Sequence, residues 1–585
     1  MRKTKIICTL GPASEDKKVI SALIDAGMDI ARLNFSHRDH EYHKNLIDSI
    51  KELRTLKKLP IAILLDTKGP EIRVKTFENN FVMLNAGDEF TLTTREVEGN
   101  EKIVTVTHSK LPQELYHGCK ILIDDGLIEL IAERIDKTDV ICRVVSGGRL
   151  SNNKSINLPD IHFDMPYISE RDTKDILFGI ENDIDYIAAS FVRCAKDVIE
   201  LRNLLEANGG ENIQIIAKIE NREGVENIDE ILSVSDGIMV ARGDMGVEIP
   251  FEELPSIQKA LIRKGYSAGK KVITATQMLE SMISHPRPTR AEITDVANAI
   301  YDGTSAIMLS GETAAGAYPV EAVSTMSKIA EKTESEIDYK KQFLKSNYDI
   351  INPNVTDAIS HATCMTAHDL GASAIITVTK SGSTARMISK YRPACPIISC
   401  TTSEKVFYQL NMSWGVIPVI TKEMHTTDDL IAHSVEMSVE KGYVKDGDLA
   451  VITAGVPLGV SGTTNLLKVH LVGNVLVTGN GTYSENISAC GKLCVCKDED
   501  EALKNFENGD ILVISETSNV LMPLLKKASG IITELGGGNS HAEIVGLTLD
   551  IPVISNAAGA TKILKSGTVV TMDAKRGLVY SGEEK

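Results

Sequence analysis

The chain has 585 residues, of which 80 are acidic and 63 are basic, giving a net charge of −17 at pH 7. This length allows three or four domains with sizeable cores. The sequence contains no block of Lys and Arg of the kind that binds nucleic acid, so we expect no nucleic-acid partner.

No apolar run approaches the length of a membrane span, and the first residues pass directly into a predicted strand without the apolar stretch of a signal peptide. We therefore expect a cytoplasmic protein that does not act at a membrane. Among the ten cysteines only Cys490, Cys494 and Cys496 lie close together. This spacing indicates reduced thiols that pack in a core, rather than a disulfide framework or a zinc site.

Eight short apolar runs predict strands, and helical apolar spacing follows nearly all of them. The runs cover residues 5–9, 29–33, 61–65, 184–189, 213–217, 237–240, 271–275 and 305–309. Helices are predicted, for example, at 16–27, 197–208, 257–268 and 292–301. Eight β-then-α units predict a closed parallel barrel, in which the residues that leave the carboxyl ends of the strands form the active face.

Polar and charged residues follow several of these strands. Strand side chains alternate, so Arg32, Asn34 and Ser36 should share one face, and Lys218 should lie beside Glu220. Further polar residues at strand ends are Asp66, Thr67, Glu71, Arg73, Asp244, Thr276, Ser310 and Glu312. Any one of these would usually be a salt-bridged strand end, but several on one predicted face favour a functional site.

These residue types point to phosphate and metal. Glu220 and Asp244 supply the carboxylate oxygens that magnesium prefers. Arg32, Arg73 and Lys218 would then face the charge on a transferring phosphoryl group.

About a hundred residues separate the third and fourth strands, too many for an ordinary connection. The segment is rich in strand-like runs and Gly turns, and it predicts a small β domain at 71–166 inserted into the barrel. It would close over the active face as a lid. A decoration without a role in catalysis is the alternative.

Two further regions follow the barrel. An open α/β unit is predicted from about residue 348 to 472, where a loop with Thr379, Lys380, Ser381, Gly382, Ser383 and Thr384 opens a helix. Such a loop is either an anion site or an ordinary helix cap. In the last segment, from about residue 473, His541 follows a triple-Gly turn and is either an exposed nucleophile or a helix-capping residue.

Together the strand ends resemble those of the pyruvate kinase family. The segments that carry the resemblance are residues 2–14, 31–37, 65–73, 218–221, 239–250, 275–281 and 308–313. The resemblance implies a kinase of glycolysis that transfers the phosphoryl group of phosphoenolpyruvate to ADP, giving pyruvate and ATP. It also implies a β/α (TIM) barrel at 1–70 and 167–345, an inserted β-barrel lid at 71–166 and an α/β regulatory domain at 346–472.

The resemblance also implies roles for individual residues. Glu220 and Asp244 would bind Mg²⁺ or Mn²⁺, and Lys218 would contact the phosphoryl group. Arg32 would hold substrate phosphate, and the substrate carboxylate would meet Gly243, Asp244 and Thr276. The nucleotide would contact Asn34, Ser36, His37, Arg73 and Lys154. Thr276, Ser310 and Glu312 would organise a water for protonation, with no single donor favoured.

A monovalent cation is implied as well. Asn34, Ser36, Asp66 and Thr67 match the potassium ligands of the family. Glu71 stands where potassium-dependent members have Glu and independent members have Lys, which favours potassium dependence.

Regulation and assembly follow from the same resemblance. The loop at 379–384 and the segment 454–464 are similar to the family's effector site, which implies a sugar phosphate or nucleotide effector. A homotetramer is usual in the family.

The tail at 473–585 resembles the swivelling phosphohistidine domain of other phosphoenolpyruvate-utilising enzymes, with His541 at the phosphorylated position. Asn539 stands where those enzymes usually have Thr, so we expect a structural role. Arg38 and Asp160 replace glycines common in the family.

Two alternatives have different chemistry. Lys218 on a barrel strand would form a Schiff base in an aldolase, which requires a neutral lysine. In the second alternative His541 is a phosphocarrier and the barrel is its docking scaffold.

Overall fold

The computed structural model describes residues 2–159, 161, 165–345, 354–424, 426–456, 464–473, 475–482, 488–537 and 540–582. The chain divides into two compact units. The first comprises residues 1–364, 377–423 and 454–465, and the second comprises residues 365–376, 424–453 and 466–585. No helix among the described residues is long and apolar enough to cross a membrane.

The first unit contains a closed barrel of eight parallel strands, which confirms the predicted architecture. Numbered along the chain, the strands are β1 (Lys5–Thr9), β2 (Ile30–Asn34), β3 (Ala62–Asp66), β13 (Tyr186–Ala189), β14 (Gln214–Ile219), β15 (Gly237–Ala241), β16 (Lys271–Ala275) and β17 (Ala306–Leu309). Their order around the barrel is β1-β17-β16-β15-β14-β13-β3-β2.

Helices follow the barrel strands, as the apolar spacing predicts. They are α1 (Lys17–Ala26), α2 (His40–Lys57), α4 (Glu170–Glu181), α5 (Ala195–Ala207), α6 (Arg222–Glu226), α7 (Ile228–Val234), α8 (Arg242–Glu248), α9 (Leu254–Ser267), α10 (Arg290–Asp302), α11 (Gly311–Ala314), α12 (Pro319–Ser335) and α13 (Tyr339–Lys345), with a 3-10 turn at Glu280–Ile283. Ser169 and Thr289 begin α4 and α10 with capping boxes. Apolar residues of strands and helices form one buried core between the two layers.

The inserted segment between β3 and β13 is a β domain. Its strands are β4 (Ile72–Arg73), β5 (Phe81–Leu84), β6 (Glu89–Thr93), β7 (Ile103–Thr105), β8 (Lys120–Ile123), β9 (Ile128–Ile135), β10 (Asp139–Ser146), β11 (Gly148–Ser151) and β12 (Ser155–Asn157), with one short helix, α3 (Leu111–Glu114). Seven of them form a sheet in the order β4-β12-β8-β9-β10-β6-β7, and β5 pairs with β11. A bridge between Val74 and Val106 joins the two edges, so the sheet closes on itself as a small barrel around its own core.

An α/β region follows the barrel. Its elements are α14 (Val355–Leu370), β18 (Ala374–Val378), α15 (Ser383–Lys390), β19 (Ile397–Thr401), α16 (Glu404–Leu410), β20 (Val416–Ile420), α17 (Thr427–Glu440), β21 (Leu449–Gly455) and β22 (Thr464–Leu471). The five strands form one open sheet in the order β20-β19-β18-β21-β22.

The C-terminal region is a separate α/β fold with an eight-stranded sheet. Its elements are β23 (Val475–Thr478), β24 (Asn480–Gly481), β25 (Ser488–Val495), α18 (Glu499–Asn505), β26 (Ile511–Ile514), a 3-10 turn (Asn519–Leu521), α19 (Met522–Leu525), β27 (Gly530–Thr533), α20 (His541–Leu549), β28 (Val553–Ser555), α21 (Ala560–Ile563), β29 (Val569–Asp573) and β30 (Leu578–Ser581). The sheet order is β23-β30-β29-β25-β26-β27-β28-β24.

Candidate active site

Lys218 lies at the centre of a buried polar cluster at the carboxyl end of the barrel. Its ammonium donates to Asp66 Oδ1 at 3.1 Å and to Ser190 Oγ at 2.8 Å, and lies 3.0 Å from Glu220 Oε1. Burial alone would lower the pKa of Lys218, but the carboxylates of Asp66 and Glu220 outweigh it and raise the pKa above its ordinary value. The lysine is therefore a charged group at neutral pH, which disfavours the Schiff-base alternative.

Arg32 shares the carboxylate of Asp66 with Lys218. Its Nε donates to Asp66 Oδ2 at 2.7 Å and one Nη donates to Thr9 Oγ1 at 2.8 Å. Burial would raise the pKa of Asp66, but Arg32 and Lys218 hold it below its usual range. One anionic side chain thus fixes two cations that point at the same mouth of the barrel.

Glu220 is fully buried, and its two oxygens have different surroundings. Oε2 accepts a hydrogen bond from the Phe191 amide at 2.6 Å, whereas Oε1 makes no hydrogen bond with the described residues and lies 3.0 Å from the Lys218 ammonium. Burial raises the pKa of Glu220, and the nearby Asp244 raises it further against the effect of Lys218. A buried carboxylate with one oxygen that makes no hydrogen bond, beside a second carboxylate, fits a hard divalent cation, which would hold both ionised.

Thr276 ends β16 in a strained conformation. Thr276 and Gln277 both have positive φ values, 69° and 53°, although neither is Gly. The hydroxyl of Thr276 accepts a hydrogen bond from the Gly243 amide at 2.8 Å, at the start of α8. The structure therefore joins the ends of β15 and β16 through two residues that the sequence assigns to the substrate carboxylate.

Glu312 and Ser310 follow β17. The carboxylate of Glu312 is fully buried and accepts from the amides of Leu279, at 3.0 Å, and Ser310, at 2.8 Å. The hydroxyl of Ser310 is buried and makes no hydrogen bond with the residues that the structure describes. Glu312 thus holds two loops together, while Ser310 retains an unsatisfied polar atom.

The four residues assigned to potassium lie on β2 and β3 or just beyond them. Asn34 and Asp66 are register partners, and Asn34 Oδ1 accepts from the Ser36 amide at 3.1 Å. Thr67 Oγ1 accepts from the Ser190 amide at 3.1 Å. All four supply oxygen atoms, the donor type that suits a large monovalent cation.

A cleft of about 550 Å³ opens between the barrel and the inserted domain, and its lining includes His37, Glu71, Arg73, Lys154 and Asp244. Two guanidinium nitrogens of Arg73 contact the carboxylate of Glu71. Nε lies 2.7 Å from Oε2, and Nη2 lies 2.7 Å from Oε1. Lys154 pairs with Asp124 at 2.7 Å. The two cations assigned to the nucleotide therefore each have a carboxylate counter-ion within the inserted domain and its boundary.

Comparison with known proteins identifies the family. Family models match as "Pyruvate kinase, barrel domain" over residues 1–323, "Pyruvate kinase, alpha/beta domain" over 357–470 and "PEP-utilising enzyme, mobile domain" over 506–577. The pyruvate kinase of Sporosarcina psychrophila is 50% identical over 584 residues, covering 100% of this chain and 99% of that protein. The chain belongs to the pyruvate kinase family.

Other members of the pyruvate kinase family give the same result. The pyruvate kinase of Geobacillus stearothermophilus is 50% identical over 583 residues, covering 99% of each chain. A crystal structure of a pyruvate kinase from Cryptosporidium parvum matches with a TM-score of 0.77 and 40% identity, covering 80% of this chain and 96% of that one. The chain is thus an enzyme, a kinase of the phosphotransferase class, as the sequence predicted.

Arg38, at which the sequence predicts a departure from a glycine usual in the pyruvate kinase family, has the backbone conformation that glycine favours. Its φ is 68°, and its guanidinium lies 5.4 Å from the Tyr42 ring. A non-glycine residue in this region costs roughly 1–2 kcal/mol. The loop after β2 is therefore held in shape at some local strain. Asp160, the other replacement, lies outside the described residues.

The candidate effector loop lies between β18 and α15. Gly382 has φ 78° and donates from its amide to Thr379 Oγ1 at 3.0 Å, and Thr384 Oγ1 lies 2.7 Å from Thr464 Oγ1. Ser383 is the first residue of α15. Residues 457–463 of the second predicted effector segment lie outside the described residues.

His541 is the first residue of α20, and Ser540 is its N-cap, with a capping box to Glu543. The alternative that His541 itself caps the helix is therefore wrong. Its Nδ1 lies 2.9 Å from Thr517 Oγ1 and its Nε2 lies 3.1 Å from Asn519 Oδ1. Hydrogen bonds at both ring nitrogens favour a structural role over a nucleophile. Asn539 lies outside the described residues.

Two residues of the cluster, Thr9 and Ser190, were not predicted from the sequence. Thr9 is the last residue of β1, and Ser190 directly follows β13. The rule that all eight strand ends meet places both hydroxyls at the active face, but it assigns neither of them a role.

Proposed function

We propose that this chain transfers the phosphoryl group of phosphoenolpyruvate to ADP, giving pyruvate and ATP, the last step of glycolysis. The observation that carries the proposal is the charged Lys218 in contact with Asp66, Ser190 and Glu220 at the mouth of the barrel. Family membership supports the same reaction.

In this proposal the substrate lies between Arg32 and Lys218. Arg32 binds the phosphate, and Lys218 offsets the negative charge on the phosphoryl oxygens during transfer. Glu220 and Asp244 hold magnesium or manganese, which supplies a positive charge that polarises the transferring group. Thr276, with the amides near Gly243 and Asp244, binds the substrate carboxylate.

The enolate left after transfer must gain a proton. Ser310 Oγ is buried without a hydrogen-bond partner in the described part of the chain, and Glu312 fixes the backbone beside it. With Thr276 on the adjacent strand, these groups orient a water that delivers the proton.

The nucleotide lies in the cleft under the inserted domain. Arg73 and Lys154 bind its phosphates, exchanging their carboxylate partners for phosphate oxygens. Asn34, Ser36 and His37, at the end of β2, contact it from the barrel side. Potassium is held by Asn34, Ser36, Asp66 and Thr67. Glu71 beside Arg73 supports potassium dependence.

We also propose regulation by a phosphorylated effector, a sugar phosphate or nucleotide. Its site is the loop with Thr379, Lys380, Ser381, Gly382, Ser383 and Thr384. The protein is proposed to be a homotetramer and to act in the cytoplasm.

The test is pyruvate formation from phosphoenolpyruvate and ADP with Mg²⁺, measured in parallel with K⁺ and with tetramethylammonium. We expect turnover that requires K⁺. In Lys218→Met the rate should fall by roughly a thousandfold or more, because a charge that offsets the transition state is lost. His541→Ala should retain full turnover. If His541→Ala were inactive and Lys218→Met were active, the phosphocarrier alternative would be established instead.

A further inference from the structure

Ser190 directly follows β13, and its hydroxyl is buried between Lys218 and Thr67. Lys218 Nζ donates to Ser190 Oγ at 2.8 Å, and Ser190 Oγ lies 2.6 Å from the Thr67 carbonyl oxygen and 3.2 Å from Asp66 Oδ1. A hydroxyl has one proton to donate. Since the ammonium is a donor only, the hydroxyl accepts from Lys218 and donates to the nearer oxygen, that of Thr67.

The backbone of the two residues is linked as closely as the side chains. The Ser190 amide donates to Thr67 Oγ1 at 3.1 Å, and the Thr67 amide donates to the Ala188 carbonyl at 3.0 Å. Gly69, with φ 72°, packs so tightly here that a Cβ on it would lie 2.9 Å from Ser190 Cβ. Such close packing, with the two hydrogen bonds, ties the segment after β3 to Ser190.

We propose that Ser190 is a positioning residue that couples the monovalent cation to Lys218. The inference rests on the proposed function, in which Thr67 and Asp66 hold potassium and Lys218 contacts the phosphoryl group. A cation beside Asp66 competes with Lys218 for that carboxylate, because two positive charges then share one anion. The Ser190 hydroxyl is neutral, so its hydrogen bond with Lys218 is retained when the cation binds.

The coupling has a direct geometric route. A cation on the Thr67 side fixes this strand end, the hydrogen bonds to Ser190 fix the hydroxyl, and the hydroxyl fixes the ammonium of Lys218. Potassium binding should therefore tighten the binding of phosphoenolpyruvate through Ser190. By linkage, phosphoenolpyruvate should tighten potassium binding by the same factor.

The test measures binding without turnover. Phosphoenolpyruvate is titrated calorimetrically into the full-length protein with Mg²⁺ and no ADP, once in K⁺ and once in tetramethylammonium at equal ionic strength. In the wild type we expect K⁺ to lower the dissociation constant about tenfold, within the range typical of coupled sites. In Ser190→Ala the ratio should fall below about twofold. Ser235→Ala is the matched control and should keep the wild-type ratio. It removes a buried hydroxyl that directly follows α7 and makes no hydrogen bond with the described residues.

Ser190→Cys retains the side-chain volume but is a weak hydrogen-bonding group, so its ratio should lie between those of the wild type and Ser190→Ala. It also serves as the test if Ser190→Ala does not fold. A wild-type ratio in both variants would overturn the coupling. Binding of phosphoenolpyruvate that is insensitive to K⁺ in the wild type would overturn the coupling alone, whereas no binding at all would overturn the proposed function with it.

Discussion

Arg242 donates through Nη2 to the backbone carbonyl of Thr276 at 2.7 Å, and this contact holds a strained turn. The guanidinium is itself fixed by Asp295, 2.7 Å from Nη1. Thr276 and Gln277 in left-handed conformation cost roughly 1–3 kcal/mol each, which the surrounding contacts must offset. Arg242 therefore determines where the Thr276 hydroxyl lies relative to Gly243.

Replacing Arg242 should weaken substrate binding without unfolding the barrel. In Arg242→Ala the turn can relax, and we expect the KM for phosphoenolpyruvate to rise roughly tenfold or more, equivalent to about 1.4 kcal/mol of lost binding. Steady-state kinetics with varied substrate provide the measurement. Arg202→Ala removes a comparable ion pair, with Asp236 at 2.6 Å, from a region outside the proposed site, and its KM should stay at the wild-type value. Equal KM values in all three proteins would contradict the positioning role.

Glu71→Lys should reduce the need for potassium. The substitution places a fixed positive charge beside the proposed cation site and removes the carboxylate that now pairs with Arg73. We expect substantial activity in tetramethylammonium, and a much smaller stimulation by K⁺ than in the wild type. Glu71→Gln is the control, because it removes the carboxylate without adding a cation and should remain dependent on K⁺. An unchanged requirement in Glu71→Lys would refute the charge substitution.

Deleting residues 473–585 should leave catalysis intact and lower stability. Arg576 in the tail donates to the Gly447 carbonyl at 2.7 Å and to Asp448 Oδ1 at 3.3 Å, and both contacts would be lost. The Arg576 side chain is 42% exposed, so screening limits the ion pair to about 1 kcal/mol or less. We expect wild-type turnover and a melting temperature a few degrees lower, with Arg576→Ala in the full chain giving part of the decrease. A folded truncation without turnover would show that the tail takes part in catalysis.

Lys271 should make stability increase with pH. Its ammonium is buried and donates to Gln214 Oε1 at 2.6 Å. Burial, and then the positive charge of Arg386, lower its pKa to about 7, with Lys270 adding to the shift and Asp236 opposing it. Between pH 7 and about 10, Lys271 is protonated in the unfolded chain but largely neutral in the folded chain. The free energy of unfolding therefore rises with pH in this range, by at most about 1.4 kcal/mol per pH unit.

Chemical denaturation of the wild type and Lys271→Met from pH 6 to 9 measures this effect. The wild type should gain stability relative to the variant across this range. A constant difference would mean that Lys271 does not titrate there. Lys271→Met also loses the hydrogen bond to Gln214, but that loss shifts the whole curve and does not change its slope.

The barrel could be predicted from the sequence because each strand is a separate apolar run, and each observed strand begins and ends within two residues of its run. Lys218 and Glu220 could be paired because residues two apart on a strand share a face. The inserted domain was predicted as β structure, but β9 and the closure through Val74 and Val106 depend on pairing between distant segments, which short-range patterns do not carry.

The contribution of Ser190 could not be predicted because a serine at a strand end is chemically ordinary. Its importance comes from three neighbours that different strands bring together. The left-handed turn at Thr276 and Gln277 could not be predicted either, because neither residue is the glycine that usually indicates a positive φ. In both cases the tertiary fold, rather than local sequence preference, determines the conformation.

The chain enters the inserted domain through β4 and leaves it through β12, and these two strands pair with each other at Arg73 and Ser155. Arg73 and Lys154 therefore sit at the pivot of any rotation of this domain, where displacement is smallest. Nucleotide phosphates bound there would stay at a nearly constant distance from Lys218 while the far edge of the domain sweeps through a wide arc. Under the proposed function, capture of the nucleotide would then not depend on how far the inserted domain has closed.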